Sequence, residues 1–414
     1  MYYLPFLSAA VNFLRINKER LFMKQIIAYI KTFIKETDIF LSLLCISASV
    51  YGVLMVYSAT YSSVKEGAFI SRDAKTMIMA VGVGIAAALI ISLIDYEIFL
   101  RLWPLAGAVC IGLMILTLLI GVGPESRSDV KTWIVLGNTG LYFQPSELVK
   151  IGFIITFSAH LDKVREEIGK LKNVLMLCVH GAIPVLLVAV SGDMGSALVF
   201  MCIFIVMMFC AGLPMRYFGL GAVAVAGAVP LAWKFVLKQL QKDRFLALIH
   251  PDEYEDIIYQ QEQGLKAISS GGFWGRGFLQ GTYTQRGLVP ESENDMIFSV
   301  VGEEAGLFGC IIALLIFILI IARLVRNGNK ARNNAGSLLC YGTAAMIGSQ
   351  VLINIGMCLE LLPVIGITLP FFSAGGSSNL CIHLAVGLML SVYRYEQEHA
   401  AVNFRPGRID LWGD

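Results

Sequence analysis

Long apolar stretches alternate with short polar segments along most of this chain. A helix needs about 20 consecutive apolar residues to cross the hydrocarbon core of a bilayer. By that criterion the pattern predicts ten membrane-spanning helices, at residues 38–60, 74–94, 102–123, 144–161, 172–190, 194–212, 214–237, 297–322, 335–357 and 377–395. The predicted fold class is therefore an all-α polytopic membrane protein.

The composition supports this interpretation. Of the 414 residues, 57% are hydrophobic and 15% are charged, whereas a soluble domain has about 25% charged residues. The nine cysteines lie mostly inside apolar runs without a CxxC pair, and the five histidines show no HExxH spacing. Neither a disulfide framework nor a zinc site is predicted, and no nucleic-acid partner is expected.

Basic residues indicate which side of the membrane each loop faces. Short cytoplasmic loops carry the excess of lysine and arginine. If the N-terminus is cytoplasmic, every basic cluster in a short loop falls on that side: Arg101, then Lys163, Arg165, Lys170 and Lys172, then Arg216, then Arg323, Arg326, Lys330 and Arg332. An odd number of spans would divide these clusters. The pattern thus favours ten spans with both termini in the cytoplasm.

The remaining segments complete the predicted organisation. Residues 1–37 form a cytoplasmic N-terminal extension, in which 24–36 has the spacing of an interfacial helix. Residues 38–395 form one membrane domain, and 396–414 a cytoplasmic tail. The long loop at 238–296 faces outside. Amphipathic helices are expected in it near 240–248 and 260–268, followed by a glycine-rich loop against the membrane surface.

Ionisable residues gather at the predicted outer ends of the spans. A charge near hydrocarbon costs roughly 2–4 kcal/mol unless it is satisfied, so such residues are functional candidates. We expect them to line one outward-facing cavity. They are Glu147 and Lys150 on the fourth span, Asp193 before the sixth, Asp295, Glu303 and Glu304 at the eighth, and Glu360 after the ninth.

Each candidate also has a structural interpretation. Glu147 and Lys150 are three residues apart on one helix face and can form an ion pair. Asp193 and Asp295 each precede a predicted helix and can act as an N-cap. The two glutamates deeper in the eighth span can accept hydrogen bonds from loop backbone. Residue type and position alone leave both interpretations open.

Five motifs, in order along the chain, resemble the SEDS family (shape, elongation, division and sporulation), the RodA/FtsW/SpoVE group. They are WI at 133–134 with FQPSELVK at 143–150; GDMGSA at 192–197; AISSGG at 267–272 with GRG at 275–277; PE at 290–291 with DMIF at 295–298 and GEEAG at 302–306; and LPVIGI at 362–367 with PFFS at 370–373 and GGSS at 375–378. The chain departs from the usual pattern at Gly192 (usually Pro), Thr132 (Arg), Met296 (Phe) and Ala374 (Tyr).

The resemblance implies a ten-helix peptidoglycan glycosyltransferase of the bacterial cytoplasmic membrane. Such an enzyme polymerises lipid II into glycan strands at the outer face, beside a class B penicillin-binding protein that crosslinks the product. It further implies that Asp295 is the catalytic carboxylate. The residues expected to shape the substrate cavity are Lys150, Glu147, Trp133, Asp193, Glu303 and Glu304.

The implied reaction sets the expected roles. Asp295 would take the proton of the attacking sugar hydroxyl, and Lys150 would act as a point charge on the departing undecaprenyl pyrophosphate. A divalent cation, Mg²⁺ or Mn²⁺, would fit phosphates and a carboxylate. Apolar helix surfaces would contact the prenyl chains and the membrane lipids.

Two alternatives from other functional classes remain. A ten-span protein with an outward polar cavity can instead transport lipid II across the membrane. Transporters usually place ionisable groups near the midplane and often contain an internal repeat, and neither is visible in this sequence. A non-catalytic scaffold for a cell-wall synthase would tolerate neutralisation of the outer carboxylates.

Overall fold

The computed structural model describes residues 35–64, 69–123, 130–135, 137, 142–235 and 237–403, with side chains described up to 396. The predicted interfacial helix at 24–36 lies almost entirely outside these residues, as do most of the N-terminal extension 1–37 and of the tail 396–414.

The described residues form 14 α-helices and one short strand pair. The helices are α1 Ile39–Ala59, α2 Arg72–Ser92, α3 Tyr96–Arg101, α4 Trp103–Ile120, α5 Pro145–Lys163, α6 Leu171–Val190, α7 Met194–Cys210, α8 Met215–Phe235, α9 Gln239–Ile249, α10 Glu255–Gly271, α11 Thr282–Gln285, α12 Ile297–Lys330, α13 Asn334–Cys358 and α14 Gly376–Asn403. Strands β1 (Ile134–Val135) and β2 (Tyr142–Phe143) pair antiparallel.

The predicted all-α polytopic fold is confirmed. Within the described part of the chain, eight helices are long and apolar enough to cross a membrane. Helix α7, at the sixth predicted span, is a shorter apolar helix, and the charge-bearing α5 occupies the fourth. The two amphipathic helices predicted in the long loop are present as α9 and α10. All nine cysteines are unpaired.

Polar side chains determine where several of these helices begin. A side-chain oxygen ahead of the helix accepts a hydrogen bond from a backbone N–H of the first turn, which would otherwise lack a partner. The pairs are Asp38 with the N–H of Leu41, Ser71 with Ala74, Asp193 with Ser196, and Asn333 with Gly336. Helix α5 instead begins at Pro145, whose missing N–H costs nothing in the first turn.

The interior of the bundle is formed by helices that carry polar residues as well as apolar ones. Helix α13 packs between α12 and α7, α14 lies along α2, and α5 contacts α4 and α13. In its most apolar 18-residue window, 72% of α13 is buried, whereas none of the corresponding window of α8 is. Helix α8 is therefore peripheral, whereas α5, α13 and α14 lie in the interior, where a functional site is expected.

A buried ion pair joins α1 to the far end of α12, on the side opposite the functional candidates. The Asp38 carboxylate is fully buried and accepts hydrogen bonds from Arg323 Nε and Asn327 Nδ2, both at 2.7 Å. Removing one partner of such a pair costs on the order of 3–5 kcal/mol. This contact fixes the two helices at one end.

Helix α12 is broken at Gly306, which has φ 67° and ψ −167°. The glycine-rich loop that follows α10 lies against this break and supplies partners for its backbone groups. The bonds run from Arg276 N to Glu303 O, Gly277 N to Glu304 O, Leu307 N to Gly272 O and Phe308 N to Phe273 O, at 2.9–3.1 Å. Because hydrocarbon offers no hydrogen bonds, non-helical backbone at this depth requires such protein partners. The loop is thus built into the bundle wall, rather than resting only on the membrane surface as expected.

Replacing Gly306 with alanine should lower the melting temperature of the detergent-solubilised protein. Its backbone conformation is open essentially to glycine alone, and forcing a side chain into it costs about 1–3 kcal/mol. The added Cβ would also collide with Gly275 N. The matched control is Gly112→Ala in α4, where nothing lies within 4 Å of the new Cβ. Equal melting temperatures for the two variants would contradict this account of the break.

Candidate active site

Asp295 lies in a tight turn immediately before α12. Glu291 has a φ of 54°, and its carbonyl accepts hydrogen bonds from the N–H groups of Asn294 and Met296 at 3.0 and 3.1 Å. The helix begins at Ile297. No side chain, including that of Asp295, accepts a hydrogen bond from the backbone N–H groups of its first turn. The interpretation of Asp295 as a simple N-cap is therefore wrong.

The backbone of this turn is held by α13 and by the segment between α13 and α14. Asn354 Nδ2, on α13, donates to Asp295 O at 2.8 Å and to Ile367 O at 2.7 Å. Ser373 Oγ donates to Asn294 O at 2.8 Å. Among the described residues, by contrast, no hydrogen bond reaches the Asp295 carboxylate. Its position is set through its backbone, and its oxygens are left for another partner.

A glycine lies directly beside the carboxylate. Gly366 has a φ of 75°, and a Cβ built on it would lie 3.6 Å from Asp295 Oδ2. The positive φ favours glycine, and the missing side chain keeps the space next to the carboxylate open. The predicted motif at 362–367 thus forms one wall beside Asp295.

The environment makes Asp295 harder to ionise than an ordinary aspartate. The surroundings as a whole raise the pKa of Asp295 from 3.8 to about 7, and burial is the largest cause. The negative charges of Glu291, Asp193 and Glu293 contribute to this rise, and the Arg244 guanidinium opposes it. A carboxyl group with a pKa near neutrality is suited to exchange a proton.

Arg244 is a site residue that the sequence did not reveal. It belongs to α9 in the long loop, and its Nη1 donates to Val364 O at 2.7 Å, across 120 positions of sequence. In the sequence it is one of several basic residues in a loop of mixed charge. Nothing in the local pattern separates it from its neighbours, because only the tertiary fold brings α9 to Asp295.

Glu147 and Lys150 form the predicted ion pair in the first turns of α5. Lys150 Nζ lies 2.8 Å from Glu147 Oε1, and the exposed fractions of the two side chains are 0% and 9%. The lysine ammonium is therefore enclosed and neutralised by the glutamate in this structure. Its predicted contact with a substrate phosphate would require the residues that enclose the ammonium to move.

Asp193 joins the starts of two helices. Its Oδ1 accepts from Ser196 N at 2.9 Å, which caps α7, and its Oδ2 accepts from Gln144 Nε2 at 2.9 Å and Ser146 Oγ at 3.2 Å at the start of α5. Gly192 before it has a φ of 90°, which the ring of proline excludes. The departure from the family's usual proline therefore changes the backbone of this turn, and Asp193 still caps the helix.

The two glutamates of α12 hold the preceding loop in place. Glu303 accepts from the N–H groups of Tyr283 and Thr284 at 2.8 and 2.9 Å and from Thr284 Oγ1 at 2.7 Å. Glu304 accepts from Ser58 Oγ at 2.6–2.7 Å and from Leu279 N at 3.1 Å. Both carboxylates are almost completely buried, so these bonds compensate for their desolvation.

The other predicted outer residues lie at separate places. Trp133 is half-buried, forms a backbone bridge to Val122 and has its ring 6.4 Å from that of Tyr142. Glu360 lines a surface cavity of about 410 Å³ together with Glu262 and Lys266, and Asp295 is not among its lining residues. The expectation that all outer carboxylates line one cavity is therefore wrong for Glu360.

No group of three or more histidine, cysteine, aspartate or glutamate residues in the described part of the chain is arranged to hold a metal ion. Acidic side chains nevertheless surround Asp295, since Glu291, Glu293 and Asp193 all act on its pKa. A magnesium ion commonly uses one or two protein carboxylates together with substrate phosphates. The carboxylates of this site would be sufficient to supply one or two ligands of that kind.

Comparison with known proteins adds independent information. Peptidoglycan glycosyltransferase MrdB of Escherichia coli is 30% identical over 362 residues, which cover 86% of this chain and 93% of the relative. Stage V sporulation protein E of Bacillus subtilis is 32% identical over 376 residues, covering 87% and 98%.

Solved structures of related proteins have the same fold as this chain. A chain of a peptidoglycan synthase complex, from a study of how polymerization and crosslinking are coordinated, has a TM-score of 0.74 and 28% identity and covers 87% of this chain and 98% of its own. Rod shape determining protein RodA of Thermus thermophilus has a TM-score of 0.64 and 27% identity, covering 87% and 97%. The model of the FtsW/RodA/SpoVE family, described as "Cell cycle protein", matches residues 38–398. The chain therefore belongs to the FtsW/RodA/SpoVE family.

Proposed function

We propose that this protein is a peptidoglycan glycosyltransferase that polymerises lipid II, with Asp295 as its general base. The observation that carries the proposal is the environment of the Asp295 carboxylate. Its backbone is fixed by Asn354, its carboxylate has no hydrogen-bond partner among the described residues, and its pKa is raised to about 7. The names of the relatives support the same reaction class.

In the proposed reaction, the 4-hydroxyl of one lipid-linked sugar attacks the anomeric carbon of another. The hydroxyl proton passes to the ionised Asp295 carboxylate while the new C–O bond forms. The bond from the anomeric carbon to the pyrophosphate oxygen breaks, and its electron pair leaves with undecaprenyl pyrophosphate. Positioned general-base catalysis of this kind typically contributes 10²–10⁴-fold in rate.

The membrane position of Asp295 suits a lipid-linked substrate. It directly precedes α12, which is long and apolar enough to cross a membrane, so its carboxylate would stand where a polyprenyl carrier presents its sugar. The bias of basic residues toward the opposite loops supports an outward-facing site. We further propose a class B penicillin-binding protein as partner, since a structural relative comes from a synthase complex that coordinates polymerization with crosslinking.

A Mg²⁺ or Mn²⁺ ion is part of the proposal. Glu291 and Glu293, which lie near Asp295, would provide its protein carboxylates, and the substrate diphosphate the remaining oxygen ligands. When bound, such an ion would offset the negative charge that develops on the leaving group.

Substituting Asp295 with asparagine should reduce lipid II polymerisation by the purified protein, assayed together with its transpeptidase partner, about 10²–10⁴-fold. The amide cannot accept the proton, whereas the backbone bonds that hold the turn are unaffected. Asp252→Asn, at an exposed position between α9 and α10, is the control and should polymerise normally. Wild-type rates in the Asp295 variant would rule out its role as base. Transport of labelled lipid II in liposomes without polymerisation would favour the flippase alternative.

The polymerisation rate should rise with pH and level off above about 7. Asp295 must be ionised to accept a proton, and its raised pKa of about 7 keeps much of it protonated at neutral pH. Well below that value the ionised fraction falls about tenfold per pH unit. The measurement is an initial-rate profile at saturating lipid II. A rate that stays constant from about pH 5.5 to about pH 8 would contradict a base with this pKa.

Cysteine labelling in intact cells tests the proposed orientation. A membrane-impermeant maleimide should label Asp252→Cys, between α9 and α10, and should label Glu166→Cys, between α5 and α6, only after the cells are opened. Both positions are exposed in the structure. The variants serve as controls for each other, and the reverse pattern would place Asp295 on the cytoplasmic side.

A further inference from the structure

We propose that the cavity between α4, α5 and α6 is a binding site for a single-chain lipid alcohol, which is a lipid whose only polar group is one hydroxyl. The cavity has a volume of about 500 Å³, within the usual range for small-molecule sites. Asp295 is not among its lining residues. The proposal therefore concerns a second site, and it does not depend on the function proposed above.

The cavity is open toward the lipid. Phe153 and Thr156 of α5 are buried and form its floor. Its sides belong to α4 and α6, where Ile111 is 41% exposed and Val179 is 62% exposed. Only 11% of the most apolar window of α4 and 22% of that of α6 are buried, so both helices face hydrocarbon. A lipid chain can thus enter between them.

Hydrogen bonds among three side chains determine which polar groups remain for a ligand. Thr156 Oγ1 donates to Phe153 O at 3.1 Å. Because its single proton is used there, Thr156 Oγ1 accepts from His180 Nε2, 3.1 Å away. In the neutral ring, His180 Nδ1 then carries no proton, and it accepts from His160 Nδ1 at 3.0 Å. Both ring nitrogens of His180 are therefore already bonded within the protein.

The backbone of His180 supplies one further acceptor. Pro184 lies inside α6 and has no N–H, so the His180 carbonyl lacks the hydrogen bond that a regular helix would give it. Among the described residues, no side chain donates to this carbonyl. Both residues line the cavity, and positions four apart share one helix face. Leaving such an acceptor unpaired costs on the order of 1–3 kcal/mol, so the site favours a ligand that donates.

The lining defines the rest of the ligand. None of the residues that line the cavity is an aspartate, glutamate, lysine or arginine, so a phosphate or an ammonium group would enter without a counter-charge. A hydroxyl is uncharged and can donate to His180 O. Most of the remaining lining is apolar, including Met114, Ile183 and Leu187, and the volume suits one lipid chain rather than two. These properties together describe a single-chain lipid alcohol.

Photocrosslinking of the full-length protein in phosphatidylcholine nanodiscs tests the site. The probe is hexadecanol with a diazirine in its chain, and mass spectrometry locates the labelled residues. Labels should fall on the parts of α4 and α6 that line the cavity. Unlabelled hexadecanol should compete about two- to tenfold better than hexadecyl methyl ether, which cannot donate, because one hydrogen bond is lost.

Replacing Pro184 with alanine tests the role of the His180 carbonyl. The new N–H at position 184 would donate to this carbonyl within the helix, so hexadecanol and its methyl ether should then compete equally. Pro230→Ala is the matched control, because it removes a proline from inside α8, which contributes no residue to this cavity. That variant should keep the preference for the alcohol.

Filling the cavity tests its position independently. A Cβ built on Gly107 would lie 3.6 Å from Thr156 Cγ2, so Gly107→Leu places a side chain above the cavity floor and should abolish labelling. Gly112→Leu on the same helix is the control, since nothing lies within 4 Å of its Cβ, and it should label normally.

Each part of the proposal has an outcome that would overturn it. Equal competition by hexadecanol and its methyl ether in the wild type would exclude recognition of the hydroxyl. An unchanged preference in Pro184→Ala would exclude the His180 carbonyl as its acceptor. Labelling that survives Gly107→Leu would exclude the cavity, and competition by a diacylglycerol as strong as by hexadecanol would exclude a single-chain ligand. Farnesol as a further competitor distinguishes an isoprenoid chain from a straight one.

Discussion

The side-chain amide of Asn354 connects the two loops from which the candidate site is built. It is completely buried and donates to both Asp295 O and Ile367 O, so it satisfies two backbone carbonyls inside the membrane domain. An unsatisfied buried carbonyl costs on the order of 1–3 kcal/mol. Both bonds come from one amide on a buried helix. The positions of Asp295 and of the segment around Gly366 are therefore fixed relative to each other. The position of the carboxylate beside Gly366 follows from that relation.

The charged residues at the end of the bundle that carries Asp295 divide into two groups. Glu303, Glu304 and Asp193 accept several hydrogen bonds each from protein donors, and Glu147 is paired with Lys150. These groups stabilise the loops and helix starts around the site. Asp295 differs, because its carboxylate has no such bond among the described residues and its burial is uncompensated. The raised pKa of Asp295 is the physical consequence.

The break in helix α12 allows two of the hydrogen-bonded carboxylates to hold the glycine-rich loop. The first segment of α12 carries Glu303 and Glu304 just before the break at Gly306, and the glycine-rich loop forms backbone bonds on both sides of the break. The loop is thereby anchored at its glycines and at the two carboxylates. The long loop segment is thus attached to the membrane domain through α12 and, at Arg244 of α9, through Val364 O.

The sequence alone determined the helical membrane fold, the positions of the ten apolar segments and the family, because hydrophobic length and charge bias act locally along the chain. It also identified Asp295 and the Glu147–Lys150 spacing, since a motif and an i, i+3 relation are local too. It left open whether each carboxylate was structural or chemical. Only the tertiary structure decided that, because desolvation and hydrogen bonding depend on which distant segments meet. Asn354 bonds to the Asp295 backbone from 59 positions away, and Arg244 acts electrostatically on its carboxylate from 51 positions away. No local pattern encodes such relations.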